Sequence, residues 1–231
     1  GAAMTLIASA IPSGQPDMFP APPVRRPWPF GGLERWAADL IMADPPWRFE
    51  LYSDKGEAKS AQAQYETMSL DDIAALPVRD LGRPDCVLWL WGTWPLLPAQ
   101  IEIVAAWGFR YVTGGVWHKR TVNGLTAFGT GYRLRSASEP FLIGVSGEPE
   151  TARDVRNVVE GVVREHSRKP PEAYAAAERL ILGGRTPDSF HAETGRRPRL
   201  LELFSRESRA GWQAWGNETG KFDAATEGAR A

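Results

Sequence analysis

Residues 38–47 read Ala38-Asp39-Leu40-Ile41-Met42-Ala43-Asp44-Pro45-Pro46-Trp47, and this stretch decides the fold. Ala38 to Ala43 is a short, nearly continuous apolar run, the pattern of a strand buried on both faces. Proline has no amide hydrogen and cannot extend a sheet ladder, so Pro45 and Pro46 end the strand. Asp44 and Trp47 are thereby set at a strand's carboxyl end. Along that edge, open α/β sheets bind their ligands.

The rest of the chain alternates strand and helix patterns. Cys86 to Trp91 is apolar and stops at Gly92, Tyr111 to Trp117 alternates, and Phe141 to Val145, Val155 to Val163 and Leu200 to Phe204 follow as further strands. Ser69 caps a helix with Asp71 and Asp72 in its first turn, running to about Leu76 before Pro77. Pro95 to Trp107 carries apolar residues at helical spacing and stops at Gly108. A further helix enters at Pro170-Pro171 and runs to about Leu182. This alternation predicts an α/β domain with a mostly parallel sheet and helices on both faces. The expected organisation is an extended or partly disordered arm over 1–32, rich in proline and glycine, a domain over 33–218, and a flexible tail over 219–231. Inside the domain, 48–64 reads as a mobile loop beside the motif and 183–198 as a basic, turn-rich stretch.

Composition excludes several classes. With 231 residues, 43% hydrophobic and 24% charged, the chain has the balance of a globular domain with one core. A formal net charge of −1 names no partner by itself. The single cysteine, Cys86, lies in an apolar strand pattern and cannot form an intrachain disulfide, which suits a reducing cytoplasm. One thiol and three histidines make no zinc site, so no metal is expected. No stretch is long and apolar enough for a membrane span, and the amino terminus lacks a basic-then-apolar secretion signal.

Two readings of the Asp-Pro-Pro-Trp turn stand side by side on residues alone. In the first, a strand ends in a rigid turn whose tryptophan is core. In the second, the turn holds an amino group on a flat substrate. The Asp44 carboxylate accepts one N–H, and a proline-residue carbonyl, fixed by the locked ring dihedral, accepts the other. Adenine's amino nitrogen is a poor nucleophile because its lone pair is delocalised into the ring. Paired acceptors favour a more tetrahedral nitrogen with its lone pair aimed at an electrophile, which is catalysis by positioning and electrostatics. Trp47 would stack on the base, a contact worth roughly 1–3 kcal/mol. A target inside a duplex would first have to be flipped out.

An ordered series of motifs carries a resemblance. Ala43-Asp44-Pro45-Pro46-Trp47 is followed by Tyr65-Glu66-Thr67-Met68-Ser69, Val87-Leu88-Trp89-Leu90-Trp91, Trp107-Gly108-Phe109 and Trp117-His118-Lys119. His166-Ser167-Arg168-Lys169-Pro170, Glu202-Leu203-Phe204-Ser205-Arg206, and Gly211-Trp212 through Trp215-Gly216-Asn217-Glu218 complete it. Over about Leu40 to Glu218 the chain resembles the adenine-N6 methyltransferases of the MT-A type, the 70 kDa subunit family, in a bacterial or phage-like form. The resemblance implies a Rossmann-like S-adenosylmethionine-dependent methyltransferase fold in permuted order, the catalytic motif preceding the cofactor segment. It implies that Asp44, Pro45, Pro46 and Trp47 hold and stack the target adenine, with Tyr65 near base and cofactor. It places Asp44, Lys119, Arg206, Asn217 and Glu218 around the cofactor, Glu218 being suited to accept from both ribose hydroxyls. Ser208 and Arg209 stand where the eukaryotic members place histidine and asparagine, and are cofactor-contact candidates on that resemblance. A glycine-rich phosphate loop is absent, as suits a cofactor with no pyrophosphate.

Nucleic acid is the implied partner, DNA before RNA, and a second subunit in a homo- or heterodimer is compatible with the family. From Arg110 to Arg135 there are five Lys or Arg and no acid, interleaved with Trp117, Phe128 and Tyr132. Such a loop suits a phosphate backbone with splayed bases, so His118, Arg120, Arg133 and Arg135 join Trp47 and Tyr65 as substrate-binding candidates. His166 and Lys169 are candidates for cofactor or substrate proximity, with a solvated helix entry as the other reading. For Glu139 a structural role is preferred. Arg185, Arg196 and Arg197 mark 183–198 as an added nucleic-acid-contacting or interface element. Two alternatives to an adenine methyltransferase are a catalytically inactive nucleic-acid-binding partner subunit and an enzyme alkylating another planar amide or amine.

Overall fold

The computed structural model describes residues 27–47, 67–131, 133–165 and 167–223. Among them seven strands form one sheet: β1 Ala38–Ala43, β2 Gly82–Trp91, β3 Arg110–Arg120, β4 Ser138–Ser146, β5 Val158–Val162, β6 Leu200–Leu203 and β7 Trp212–Trp215. Their order across the sheet is β5-β3-β4-β2-β1-β6-β7. β4 runs antiparallel to both β2 and β3, and the other neighbours pair in parallel. The expected mostly parallel sheet is therefore present with one reversed strand.

β1 takes an inner position because its sequence tolerates burial on both faces, and all of its residues are buried. Strand side chains alternate across the sheet. Ile41 and Ala43 enter one core layer with Ile73, Ile103, Val104 and Trp107, while Leu40 and Met42 enter the other with Ala173, Tyr174, Ala177 and Ile181. The first layer is covered by α1 (Leu70–Ala74) and α2 (Leu97–Ala106), the second by α3 (Pro171–Leu182). Burying each large aliphatic side chain here is worth about 1.5–3 kcal/mol.

The helix signals act as read. Ser69 caps α1, its side chain accepting from the Asp72 amide at 3.1 Å. Gly183, at φ 60°, ends α3 in the left-handed conformation that glycine adopts without strain. Cys86 is buried and free, and burial pushes its thiol up to about 12, so it is an inert core group.

Several elements differ from the sequence expectations. β3 continues through His118, Lys119 and Arg120, which the sequence places in a loop; β5 pairs with it as far as Arg120, and the Lys119 amide donates to Ala137 O at 2.9 Å. The basic stretch 183–198 contains a helix, α4 (Pro187–Thr194), started by a reciprocal capping box between Thr186 and Ser189 and anchored by buried Phe190. β7 is an additional edge strand after β6, in register Leu200 to Trp212. Phe30, inside the predicted arm, is 1% exposed between Trp28 and Trp215, at 5.1 and 5.0 Å between ring centroids. After Glu218 the chain turns back onto the domain, with Phe222 N donating to Arg206 O and Ser208 N to Asp223 Oδ1. No helix among the described residues is long and apolar enough to cross a membrane.

Candidate active site

The carboxyl ends of the neighbouring parallel strands β1 and β6 meet at Asp44, whose amide donates to Leu203 O at 3.3 Å. The loop entering α3 comes over this edge. Together they enclose a cleft lined by Asp44, Arg168, Lys169, Tyr174, Glu202, Phe204, Arg206, Glu207 and Phe222. Two residues of its lining, Ser167 and Phe204, hold positive φ values of 64° and 61° without being glycine. Such conformations persist only where surrounding structure fixes them, and they cluster at functional sites. For Phe204 that structure includes Gly216, where a Cβ would lie 3.0 Å from Phe204 Cα.

The turn itself is held by backbone bonds. Pro45 O accepts from the Trp47 amide at 2.8 Å and Pro46 O from the Met68 amide at 3.0 Å. A carbonyl has two lone pairs, so each retains one for a further donor. Trp47 is 4% exposed, and its indole N–H donates to Trp91 O at 3.2 Å. The ring read as a stacking platform faces the core, because a ring at this point of the turn fills the layer next to Ile73 and Leu90.

Lys169 organises the charge. Its Nζ lies 2.7 Å from Asp44 Oδ2 and 2.8 Å from Glu139 Oε1, while Lys119 Nζ lies 2.9 Å from Glu139 Oε2. Arg206 Nη1 is 3.9 Å from the same Asp44 oxygen. Burial opposes charge on Lys169, but Asp44 and Glu139 more than offset it and hold the ammonium well above its ordinary range. Burial likewise opposes charge on Glu139, and Lys169 and Lys119 prevail, so its carboxyl lies below the usual range. Asp44 Oδ1 carries no hydrogen bond from a described residue.

A second carboxylate lines the same cleft. Glu202 on β6 is 6% exposed and accepts from Tyr174 Oη at 2.6 Å and from Ser205 Oγ at 3.0 Å. Burial pushes the Glu202 carboxyl up, and the Asp44 charge adds to that push, while the two hydroxyls and Arg209 oppose it. The Arg209 guanidinium stacks 3.8 Å from the Tyr174 ring centroid.

The structure gathers some of the sequence candidates and separates others. Asp44, Lys119, Lys169, Arg206 and Arg209 belong to the cleft or its charge cluster, and Pro45 and Pro46 follow Asp44 in the turn. Glu218 is tied to Arg206 Nε at 2.9 Å and to Lys221 at 2.6 Å, the Ser208 amide donates to Asp223 Oδ1 at 2.8 Å outside the cleft lining, and Asn217 is exposed on the same turn as Glu218. His118 and Arg120 reach Glu160 on neighbouring β5, and Arg133 and Arg135 are exposed in the β3–β4 loop. Tyr65 and His166 lie outside the described residues, as do Tyr132 and 48–64.

Glu139, given a structural role by the sequence reading, is the shared partner of both lysines. Glu202 and Tyr174 went unnoticed, although an acid within Leu200-Leu201-Glu202-Leu203 is a signal: a charge buried in a strand must find partners. Of 183–198, Arg185 pairs with Glu193, Arg196 with Asp39 and Arg197 with Asp188, so its cations are largely spent within the fold. No cluster among the described residues could hold a metal ion.

An α/β sheet whose inner strand delivers Asp44, at the head of the Asp-Pro-Pro turn, into a charged cleft beside β6 is the fold of a methyltransferase of the S-adenosylmethionine-dependent kind. The model of the MT-A70 family matches residues 38–218, and the chain belongs to that family. It is 32% identical over 197 residues to an N(6)-adenosine-methyltransferase MT-A70-like protein of Arabidopsis thaliana, covering 83% of this chain and 25% of that protein. It is 30% identical over 220 residues to the type II methyltransferase M.MunI of Mycoplasma sp., covering 86% of each. The catalytic subunit METTL3 of the human N(6)-adenosine-methyltransferase is 29% identical over 168 residues, 71% of this chain and 27% of that protein. The chain thus spans about a quarter of the plant relatives it matches.

Proposed function

We propose that this chain transfers a methyl group from S-adenosylmethionine to the 6-amino group of adenine in nucleic acid. The observation that carries the reading is the placement of Asp44: at the end of β1, Lys169 holds Oδ2 at 2.7 Å, and Oδ1 accepts from no described residue. The second lone pair of Pro45 O or Pro46 O supplies the other acceptor the amine needs.

The cleft's side chains suit the cofactor chemically. Lys169 and Arg206 complement a carboxylate, Asp44, Glu202 and Glu218 complement an ammonium or a ribose diol, and Phe204 offers a flat apolar wall. When bound, the cofactor supplies an electrophilic methyl on a sulfonium centre. Asp44 Oδ1 and a proline-residue carbonyl would hold the adenine N6 with its lone pair directed at that methyl group, and Asp44 Oδ1 would take up the surplus N–H proton. Lys169 pairs with that carboxylate at 2.7 Å and fixes its orientation. Trp47, packed under the turn, holds its backbone in place. Adenine in DNA and RNA presents the same amine, so this site selects the base and not the polymer.

Replacing Asp44 tests the reading. Asp44→Ala should lower methyl transfer to an adenine-containing oligonucleotide by at least about a hundredfold, with circular dichroism unchanged. Retained turnover in a folded variant would remove Asp44 from the reaction.

A further inference from the structure

The loop between β3 and β4 combines features that the catalytic cleft does not use. Val122 is 84% exposed, Leu125 67%, Phe128 79% and Leu134 86%, so its large apolar side chains are almost all in solvent. The loop is nevertheless folded, by backbone bonds instead of apolar burial: Gly124 N to Thr121 O, Thr121 N to Leu125 O, Ala127 N to Lys119 O, Gly129 N to Ser136 O and Ser136 N to Thr130 O. A Cβ on Gly131 would fall 2.0 Å from Leu134 O, so this fold of the loop depends on glycine there. Apolar side chains are held out on a shaped support.

Its charge selects the partner. No Asp or Glu occurs between Glu102 and Glu139, while Arg110, Lys119, Arg120, Arg133 and Arg135 do. Arg133 and Arg135, on either side of Leu134, form no ion pair with a described residue, and the Arg135 guanidinium lies 5.1 Å from the Phe128 ring centroid. Two copies joined through this loop would bring like charges together. A polyanion with an apolar interior satisfies both halves of the surface.

The loop is rooted in the catalytic cluster. It leaves the sheet at Lys119 and Arg120 and returns at Ser138 and Glu139, and Lys119 and Glu139 connect through Lys169 to Asp44. Taking a base out of a duplex costs unstacking and leaves a gap beside the displaced nucleotide. Apolar side chains inserted between base steps fill such gaps in other nucleic-acid complexes. We propose that Phe128 and Leu134 are a wedge that enters the base stack of double-stranded DNA next to the target adenine, and that Arg133 and Arg135 hold the flanking phosphates. This proposal rests on the adenine methyltransferase reading and assigns that reading its substrate form, a DNA duplex.

The test compares wild type with the Phe128→Ser, Leu134→Ser double variant, both as full chains. Methyl transfer is measured on a DNA duplex with randomised G·C flanks around a single central A·T pair, on the same duplex with that adenine mismatched, on the single strand and on the corresponding RNA duplex, and the oligomeric state of both proteins is read by light scattering. Base displacement is read separately, without turnover, by the fluorescence of 2-aminopurine at the central position. The variant should lose about tenfold or more on the matched duplex, less on the mismatched one and nothing on the single strand, since unpairing is what the wedge supports. It should also lose the fluorescence rise that wild type produces. Equal losses on all substrates, or none, would overturn the wedge while leaving the methyltransferase reading intact. A fluorescence rise lost in the variant, with no transfer by wild type to any substrate, would keep the wedge and sink the reading. A dimer in wild type that becomes a monomer in the variant, or a loss confined to duplex RNA, would overturn the wedge.

Discussion

Lys169 Nζ lies 2.7 Å from Asp44 Oδ2, joining residues 125 apart in sequence across the mouth of the cleft. Each belongs to a different element, the end of β1 and the loop entering α3, and Glu139 at the start of β4 closes the triangle. Two carboxylates and one ammonium, all mostly buried, are stable together because each charge meets an opposite one.

Removing the ammonium alone should therefore be costly. Lys169→Met leaves Asp44 and Glu139 facing each other, and the expected loss of stability is about 3 kcal/mol. Adding Glu139→Gln to Lys169→Met should recover part of that loss, since one of the two carboxylates that lost the Lys169 charge is gone. Urea unfolding of the four proteins in the cycle measures the coupling. Additive losses would show that Lys169 and Glu139 do not interact as their 2.8 Å separation implies.

Glu202 gives a pH dependence of defined sign. Its folded-state acidity is weakened by burial, so the folded chain binds its proton more tightly than the unfolded chain does. The stability it contributes is full below the unfolded carboxylate value and is lost as pH rises through the folded one. Glu202→Gln lacks this titration. Wild-type stability relative to that variant should rise as pH is lowered from about 8 to about 4, measured by thermal unfolding at each pH. Glu139 has the opposite sign, its contribution being present above the ordinary carboxylate range and lost as pH falls through the depressed folded value. Glu139 is present in both proteins, so its term cancels in the comparison. A relative stability that falls on acidification would contradict the account of Glu202.

The placement of Trp47 separates packing from stacking. Trp47→Phe keeps the ring in the core and removes the N–H given to Trp91 O, leaving a buried carbonyl short of a donor at a cost of about 1–3 kcal/mol. KM for the oligonucleotide should stay unchanged while the melting temperature falls. A raised KM with unchanged melting temperature would return Trp47 to a stacking role.

The helix α4 depends on a buried carboxylate far from the cleft. Asp39 is 6% exposed and receives Arg196 at 2.6 Å, the Arg199 amide at 2.8 Å and Arg83 at 3.6 Å. Asp39→Ala should destabilise the chain by about 3 kcal/mol and leave KM for the oligonucleotide unchanged, because the cations of 183–198 serve the fold. Unfolding and steady-state kinetics on the same preparation check both halves. A rise in KM with unaltered stability would favour the nucleic-acid role read from the arginines alone.

Much of the fold was legible because its inner strand is written in apolar residues with a double proline at the end. The Ser69 cap and the Gly108 and Gly183 helix stops are local and were legible for the same reason. What escaped is long-range. β3 extends through Lys119 because β5 pairs with it, and no local pattern in His118-Lys119-Arg120 reports a partner forty residues away. β7 is four residues long with Gln213 at its centre, too short for alternation to declare it. In the site, Asp44 was legible from its position, and Lys169 as a candidate for cofactor or substrate proximity with a helix entry as the other reading. Glu139 acquires its meaning from two lysines that the chain brings together in space.

The most direct test of the central claim is chemical. The full chain is incubated with S-adenosylmethionine carrying a labelled methyl group and with matched adenine-containing DNA and RNA oligonucleotides, single- and double-stranded, and the digested nucleosides are identified by mass. Label in N6-methyladenine, lost in Asp44→Ala, is the predicted result. Label in any other nucleoside, or none in any of the oligonucleotides, would contradict the account.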